Sequence, residues 1–131
     1  MKVFITGATG QLGLALQRFA PAAVDVVPLG RDALDISNHE AVETVLRTGA
    51  DALINAAAYT DVEGAEREPA AAFAINSAGA ANLAAACASR GIHLVHVSTD
   101  FVFDGTKQPP YSPEDAAHPF NVYGASKLEG Q

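Results

Sequence analysis

Tyr123 and Lys127 stand four residues apart in "NVYGASKLEGQ". That spacing puts a phenol and an ammonium on one face of a helix. A cation beside a phenol stabilises the phenolate, so the proton leaves more readily than from a free tyrosine. A phenol tuned in this way is a good general acid for a carbonyl being reduced. Upstream, the run "IHLVHVST" leads into Ser98, Thr99 and Asp100. A Thr hydroxyl at that point can hold the same carbonyl oxygen, and the lysine can also reach the ribose of a nicotinamide nucleotide. Tyr-x-x-x-Lys alone is common, and usually means an aromatic stem with a solvated charge. Its company makes it specific here.

The company begins at the N-terminus. "TGATGQLG" places Gly7, Gly10 and Gly13 between an apolar strand and a helix. A dinucleotide pyrophosphate needs a tight turn, bare backbone N–H groups and a helix N-terminus, and glycines at these places supply them. The spacing is G-x-x-G-x-x-G, not the G-x-G-x-x-G of most dehydrogenases. At the end of the second strand an acid would bind a ribose 2′-hydroxyl, whereas an Arg suits a 2′-phosphate. The sequence has Gly30-Arg31 there, which favours NADPH over NADH, although Arg31 also reads as a solvated surface charge. Asp35 and Ile36 either flank the adenine or close the loop.

These residues need a scaffold. Strands are expected over 2–6, 24–29, 51–58 and 92–99. Helices are expected over 11–19, 37–49, about 68–90 and 121–131. Leu12, Leu16 and Phe19 share one side of the first helix; Ser37 or Asn38 caps the second, and Gly49 and Gly91 are stops. The near-continuous apolar character of 92–99 predicts a strand buried on both faces. Residues 103–119, with four prolines, read as a loop. Alternating strands and helices mean βαβ units, hence an α/β fold with a Rossmann-type, doubly wound parallel sheet. In a parallel sheet the ligand lies beyond the carboxyl ends of the strands, where Thr99 and the glycine loop both arrive.

The 131 residues suit one domain, with an ordinary 49% hydrophobic and 18% charged content. No apolar run is expected to reach the roughly 18 residues of a membrane span, and "MKVFITGATG" does not read as a signal peptide, so the expected compartment is the cytoplasm. The net charge of −7, without Lys/Arg clusters, argues against nucleic acid or an anionic membrane as partner. Cys87, the single cysteine, reads as a small buried hydrophobe. No metal constellation is visible; His39, His93, His96 and His118 read as structural or surface residues.

With these residues in hand, the chain resembles the extended short-chain dehydrogenase/reductase family. It is most similar to the branch that reduces the 4-keto group of dTDP-4-dehydro-6-deoxy-L-mannose to dTDP-L-rhamnose for cell-surface polysaccharides. The motifs that carry the resemblance run the length of the chain: "TGATGQLG", "INAAAYTDVEGAE", "AFAIN", "VHVSTDFVFDG" and "NVYGASKLEGQ". The resemblance implies a catalytic triad of Thr99, Tyr123 and Lys127. It implies a pyrophosphate loop at Gly10, Gln11 and Leu12, adenine contacts at Asp35 and Ile36, and a cofactor border at Ala58, Tyr59 and Thr60. Thr99 and Asp100 match residues that touch the sugar nucleotide. The implied cofactor is NADPH or NADH, with Mg²⁺ and a homodimer in some full-length relatives.

The sequence departs from that branch at Gly64, where a Lys is usual, at Pro113, where an acid is common, and at Gly30-Arg31, where some members carry an acid. The branch is also about twice this length. Residues 1–131 are therefore expected to be an incomplete dinucleotide-binding domain, truncated on its C-terminal side, without the region that binds the sugar nucleotide and with negligible turnover alone. Two other readings stay open: a non-catalytic NADP-binding regulatory or sensor domain, as in the methionine adenosyltransferase β subunit, and another nucleotide-sugar reductase or epimerase.

Overall fold

The computed structural model describes residues 1–108 and 110–131. Its centre is a parallel sheet of β1 (Lys2–Thr6), β2 (Asp25–Leu29), β3 (Ala52–Asn55) and β4 (His93–His96), in the order β2-β1-β3-β4. Between them lie α1 (Gln11–Arg18), α2 (His39–Leu46), α3 (Val62–Arg67), α4 (Pro69–Phe73) and α5 (Ala80–Arg90). A π-helical segment, Ala74–Gly79, joins α4 to α5, and a 3₁₀ turn, Asp100–Val102, precedes α6 (Val122–Glu129). This is the alternating, doubly wound arrangement that the sequence predicts.

Side-chain alternation sorts the sheet into two faces. Phe4, Val27, Leu53 and Leu94 lie in register across the strands. They pack with Val42 and Leu46 of α2 and Leu83 and Cys87 of α5 to form the core. Asn38 is the residue that caps α2, accepting from the Ala41 N–H at 3.1 Å. The opposite face carries Val3, Ile5, Val26 and Ile54, with α1 beside it.

Three expectations are corrected. First, β4 is not buried on both faces: His93 is exposed and Val95 is 44% exposed. Among the described residues it is an edge strand, paired only with β3, and helices cover its Leu94 side alone. For the same reason Leu12 and Phe19, expected to pack, stand 42% and 78% exposed. Second, β3 stops at Asn55 instead of 58. The Asn55 side chain accepts the Ala57 N–H at 3.1 Å, which takes that donor from the ladder and turns the chain. Third, one helical run, Pro69–Arg90, is by length and composition apolar enough to cross a membrane. Unbroken α4, π and α5 segments of alanine-rich sequence produce it, and its Ala72, Leu83, Ala86 and Cys87 are buried in the fold.

The expected loop over 103–119 includes Pro109, which lies outside the described residues. Its described part is knitted together by side chains. Tyr111 donates to Asp104 at 2.5 Å and stacks on Phe103 with ring centroids 4.3 Å apart, while Lys107 pairs with Asp115.

Candidate active site

A cleft of about 720 Å³ opens at the carboxyl ends of β1, β3 and β4. Its floor begins at the glycine loop. Gly7 has φ +64°, and a Cβ there would lie 2.6 Å from the Ala56 backbone, so only glycine lets β1 turn against β3 at this point. Gly10 is the N-cap of α1 and brings no capping side chain; the first turn holds no acid. The unpaired N–H groups of that turn are therefore free to meet an anion. Gly7, Gly10, Gln11 and Leu12 line the cleft, as expected. Gly13 does not: it is buried in α1, packed against the Gly7 carbonyl.

The far wall depends on α6. Asn121 caps it, accepting from Gly124 N–H at 2.7 Å, and the Glu66 carboxylate of α3 accepts from Val122 N–H at 2.8 Å. A Cβ on Gly124 would lie 2.2 Å from the Phe101 carbonyl oxygen, so α6 lies directly against the 3₁₀ turn that follows Thr99. Ser126 accepts from buried Asn76 at 2.9 Å. Asn76 also holds both backbone groups of Tyr59, accepting from its N–H at 2.8 Å and donating to its carbonyl at 3.1 Å. These bonds join three distant segments and place Tyr123 and Lys127 in the cleft. Lys127 is only 2% exposed, and its ammonium donates to the Val97 carbonyl at 2.7 Å. Burial holds its pKa below the ordinary lysine range.

The remaining predicted residues divide. Arg31, Asp35, Ile36, Ala58 and Thr60 line the cleft. Asp35 accepts from the Ser37 hydroxyl at 2.6 Å and the Ser37 N–H at 3.0 Å; with Arg31 nearby, these bonds hold its carboxyl below the usual range. Tyr59, Thr99 and Asp100 do not line it. The Tyr59 hydroxyl turns away to donate to Glu68 at 3.1 Å. Thr99 Oγ1 caps the 3₁₀ turn, accepting from Phe101 N–H at 3.2 Å, and follows Ser98, the last lining residue of that segment. Sequence reading missed Thr9, Leu34, Ala56, Ala57, Ile75 and Val97 in the lining, named Ser98 only as part of the strand end, and missed Glu66, Asn76 and Ser126 behind the cleft. Asn76 did leave a signal, as a bulky amide amid alanines in "AAAFAINSAGAANLAAA".

Comparison with known proteins identifies the family. A family model described as RmlD substrate binding domain matches residues 1–131. A dTDP-4-dehydrorhamnose reductase of Sinorhizobium fredii is 45% identical over 132 residues, covering 100% of this chain and 45% of the relative. A crystal structure of a dTDP-4-dehydrorhamnose reductase from Clostridium acetobutylicum superposes with TM-score 0.95 at 42% identity, covering 99% of this chain and 47% of that one. The same enzyme from Bacillus anthracis, solved in complex with NADP, gives TM-score 0.95 at 42% identity, with 98% and 47% coverage. The chain thus spans a little under half the length of these relatives.

Proposed function

The chain belongs to the family described as RmlD substrate binding domain, and from that premise we propose that it forms the cofactor-binding and proton-donating part of a dTDP-4-dehydrorhamnose reductase. The whole protein reduces the 4-keto group of dTDP-4-dehydro-6-deoxy-L-mannose to the alcohol of dTDP-L-rhamnose in the cytoplasm. The observation that carries the reading is the buried Lys127 ammonium, pinned to Val97 on the helix that brings Tyr123 into the cleft.

The residues fit a nicotinamide dinucleotide. The bare N-terminal turn of α1, with Gly10, Gln11 and Leu12, offers donors to a pyrophosphate. Asp35 and Ile36, in the cleft lining, suit the adenine, and Ala58 and Thr60, also in the lining, suit the rest of the nucleotide. Arg31, exposed at the rim, suits a 2′-phosphate and favours NADPH. When bound, the nucleotide supplies the hydride. Tyr123 gives its phenolic proton to the carbonyl oxygen, Lys127 stabilises the phenolate left behind, and Thr99, which stands one residue past the cleft lining, orients the carbonyl. Thr99 and Asp100 meet the sugar nucleotide, whose further contacts lie in the length that the relatives have beyond this match.

The test uses the full-length protein, NADPH and the dTDP-linked 4-keto sugar. Tyr123→Phe should lower kcat by about 10²-fold or more, with NADPH affinity changed less than threefold. Unchanged kcat would remove Tyr123 from the chemistry. NADPH binding without turnover in the unaltered protein would favour a regulatory NADP-binding domain instead.

A further inference from the structure

Behind Lys127 a chain of polar side chains crosses the sheet. Thr6 Oγ1 donates to Asn55 Oδ1 at 2.6 Å, and Asn55 Nδ2 faces His96 Nδ1 at 2.9 Å. Thr6 and Asn55 are 0% and 1% exposed. The directions of these bonds follow from the backbone. The Ala57 N–H, which can only donate, meets the Asn55 oxygen at 3.1 Å. The atom turned to His96 is therefore the Asn55 amide nitrogen, also only a donor. Nδ1 of His96 must accept, so the ring is neutral with its proton on Nε2. That Nε2 is buried and has no hydrogen-bond partner among the described residues. An unmet buried donor costs about 1–3 kcal/mol, so packing alone would favour an apolar side chain here.

The position of His96 gives the imidazole a use. Its neighbour Val97 donates its N–H to the Asn55 carbonyl at 3.2 Å and accepts the Lys127 ammonium at 2.7 Å. Asn55 thus grips the end of β4 twice, once through the Val97 peptide and once through the His96 ring. We propose that His96 is a positioning residue, locking the end of β4 through Asn55 so that the Val97 carbonyl holds Lys127 in its working place. The inference rests on the reductase reading for its kinetic consequence, though not for its structural one.

The test separates the two. In the full-length protein, the Lys127 Nζ resonance is assigned with Lys127→Arg and followed by ¹⁵N NMR, beside kcat and the KM for NADPH. His96→Phe removes the acceptor and should shift that resonance and lower kcat at least tenfold. His96→Asn puts an amide oxygen near the place of Nδ1 and should restore both to within about threefold; His96→Gln, whose amide lies further out, should not. Phe that leaves resonance and kcat unchanged overturns the proposal. Should Phe prevent folding, the Asn and Gln variants decide, and equal behaviour of those two overturns it. If the unaltered protein shows no turnover, the reductase reading fails while the resonance still reports on His96.

Discussion

Lys127 shows how far this site departs from what stability alone would choose. An ammonium 2% exposed, with one described partner in the Val97 carbonyl, is unfavourable, and burial lowers its pKa. The sign follows. Between that lowered value and the ordinary lysine value of 10.5, the unfolded chain holds a proton that the folded chain has shed. Stability therefore rises with pH through that window and is least below it. Replacing the ammonium by an apolar chain of similar length should relieve the penalty. Lys127→Met should leave the full-length protein as stable or more stable, by about 1 kcal/mol, and flatten the alkaline rise in Tm, while kcat falls by more than 10²-fold. Thermal scans at pH 7 and 10 check the first half and NADPH oxidation the second. A clear drop in Tm would mean that Lys127 is structural.

At the scale of elements, two features lie beside the pair. The first is the contact between α6 and the 3₁₀ turn. With the Phe101 oxygen 2.2 Å from where a Gly124 Cβ would sit, Gly124→Ala must push helix and turn apart. It should destabilise by about 1–3 kcal/mol and lower kcat, as measured by denaturant unfolding and turnover. The second is the loop after the turn. Hydrogen bonds from Tyr111 and from the Thr106 N–H and hydroxyl hold the Asp104 carboxyl at about 2, down from 3.8. A depressed carboxyl contributes stability above the upper value and loses it as pH falls through the lower one. Amide protection in residues 103–108 and 110–119, taken relative to the intrinsic exchange rate at each pH, should therefore fall between pH 4 and pH 2. Asp104→Asn should show the lower protection already at neutral pH. The sequence made some of this legible. Gly7, the cap of α2 and the Tyr123/Lys127 spacing express local chemistry, which neighbours in the chain reveal. The bonds of Glu66 to Val122, Asn76 to Ser126 and Thr6 to Asn55 join residues some 50 positions apart, and no local pattern announces them. The exposure of Val95 was illegible for a related reason. An apolar strand reads the same whether or not the fold covers both of its faces.

At the scale of these 131 residues, the sheet has one covered face and one open face. One side of the sheet is sealed by α2 and α5, and there Phe4, Leu53 and Leu83 are buried almost completely. The other side is open. Val95 and Phe19 are 44% and 78% exposed, and an apolar groove runs between α1 and the strands past Val3, Ile5, Val26 and Ile54. Apolar surface on that scale drives association in water. It also leaves α1, whose N-terminal turn is the proposed pyrophosphate site, supported along one side only. The 131-residue polypeptide expressed alone should therefore bind an apolar dye such as ANS and self-associate above micromolar concentration. It should hold NADPH at least tenfold more weakly than the full-length protein, with turnover of the 4-keto sugar lower by 10³-fold or more. Changing Phe19 to Glu should suppress dye binding and association without restoring turnover, because that side chain lies outside the cleft. Calorimetric titration of NADPH, light scattering and a coupled absorbance assay read the three quantities separately. A monomeric 131-residue chain that turns over near the full-length rate would show that the open face is irrelevant to the chemistry.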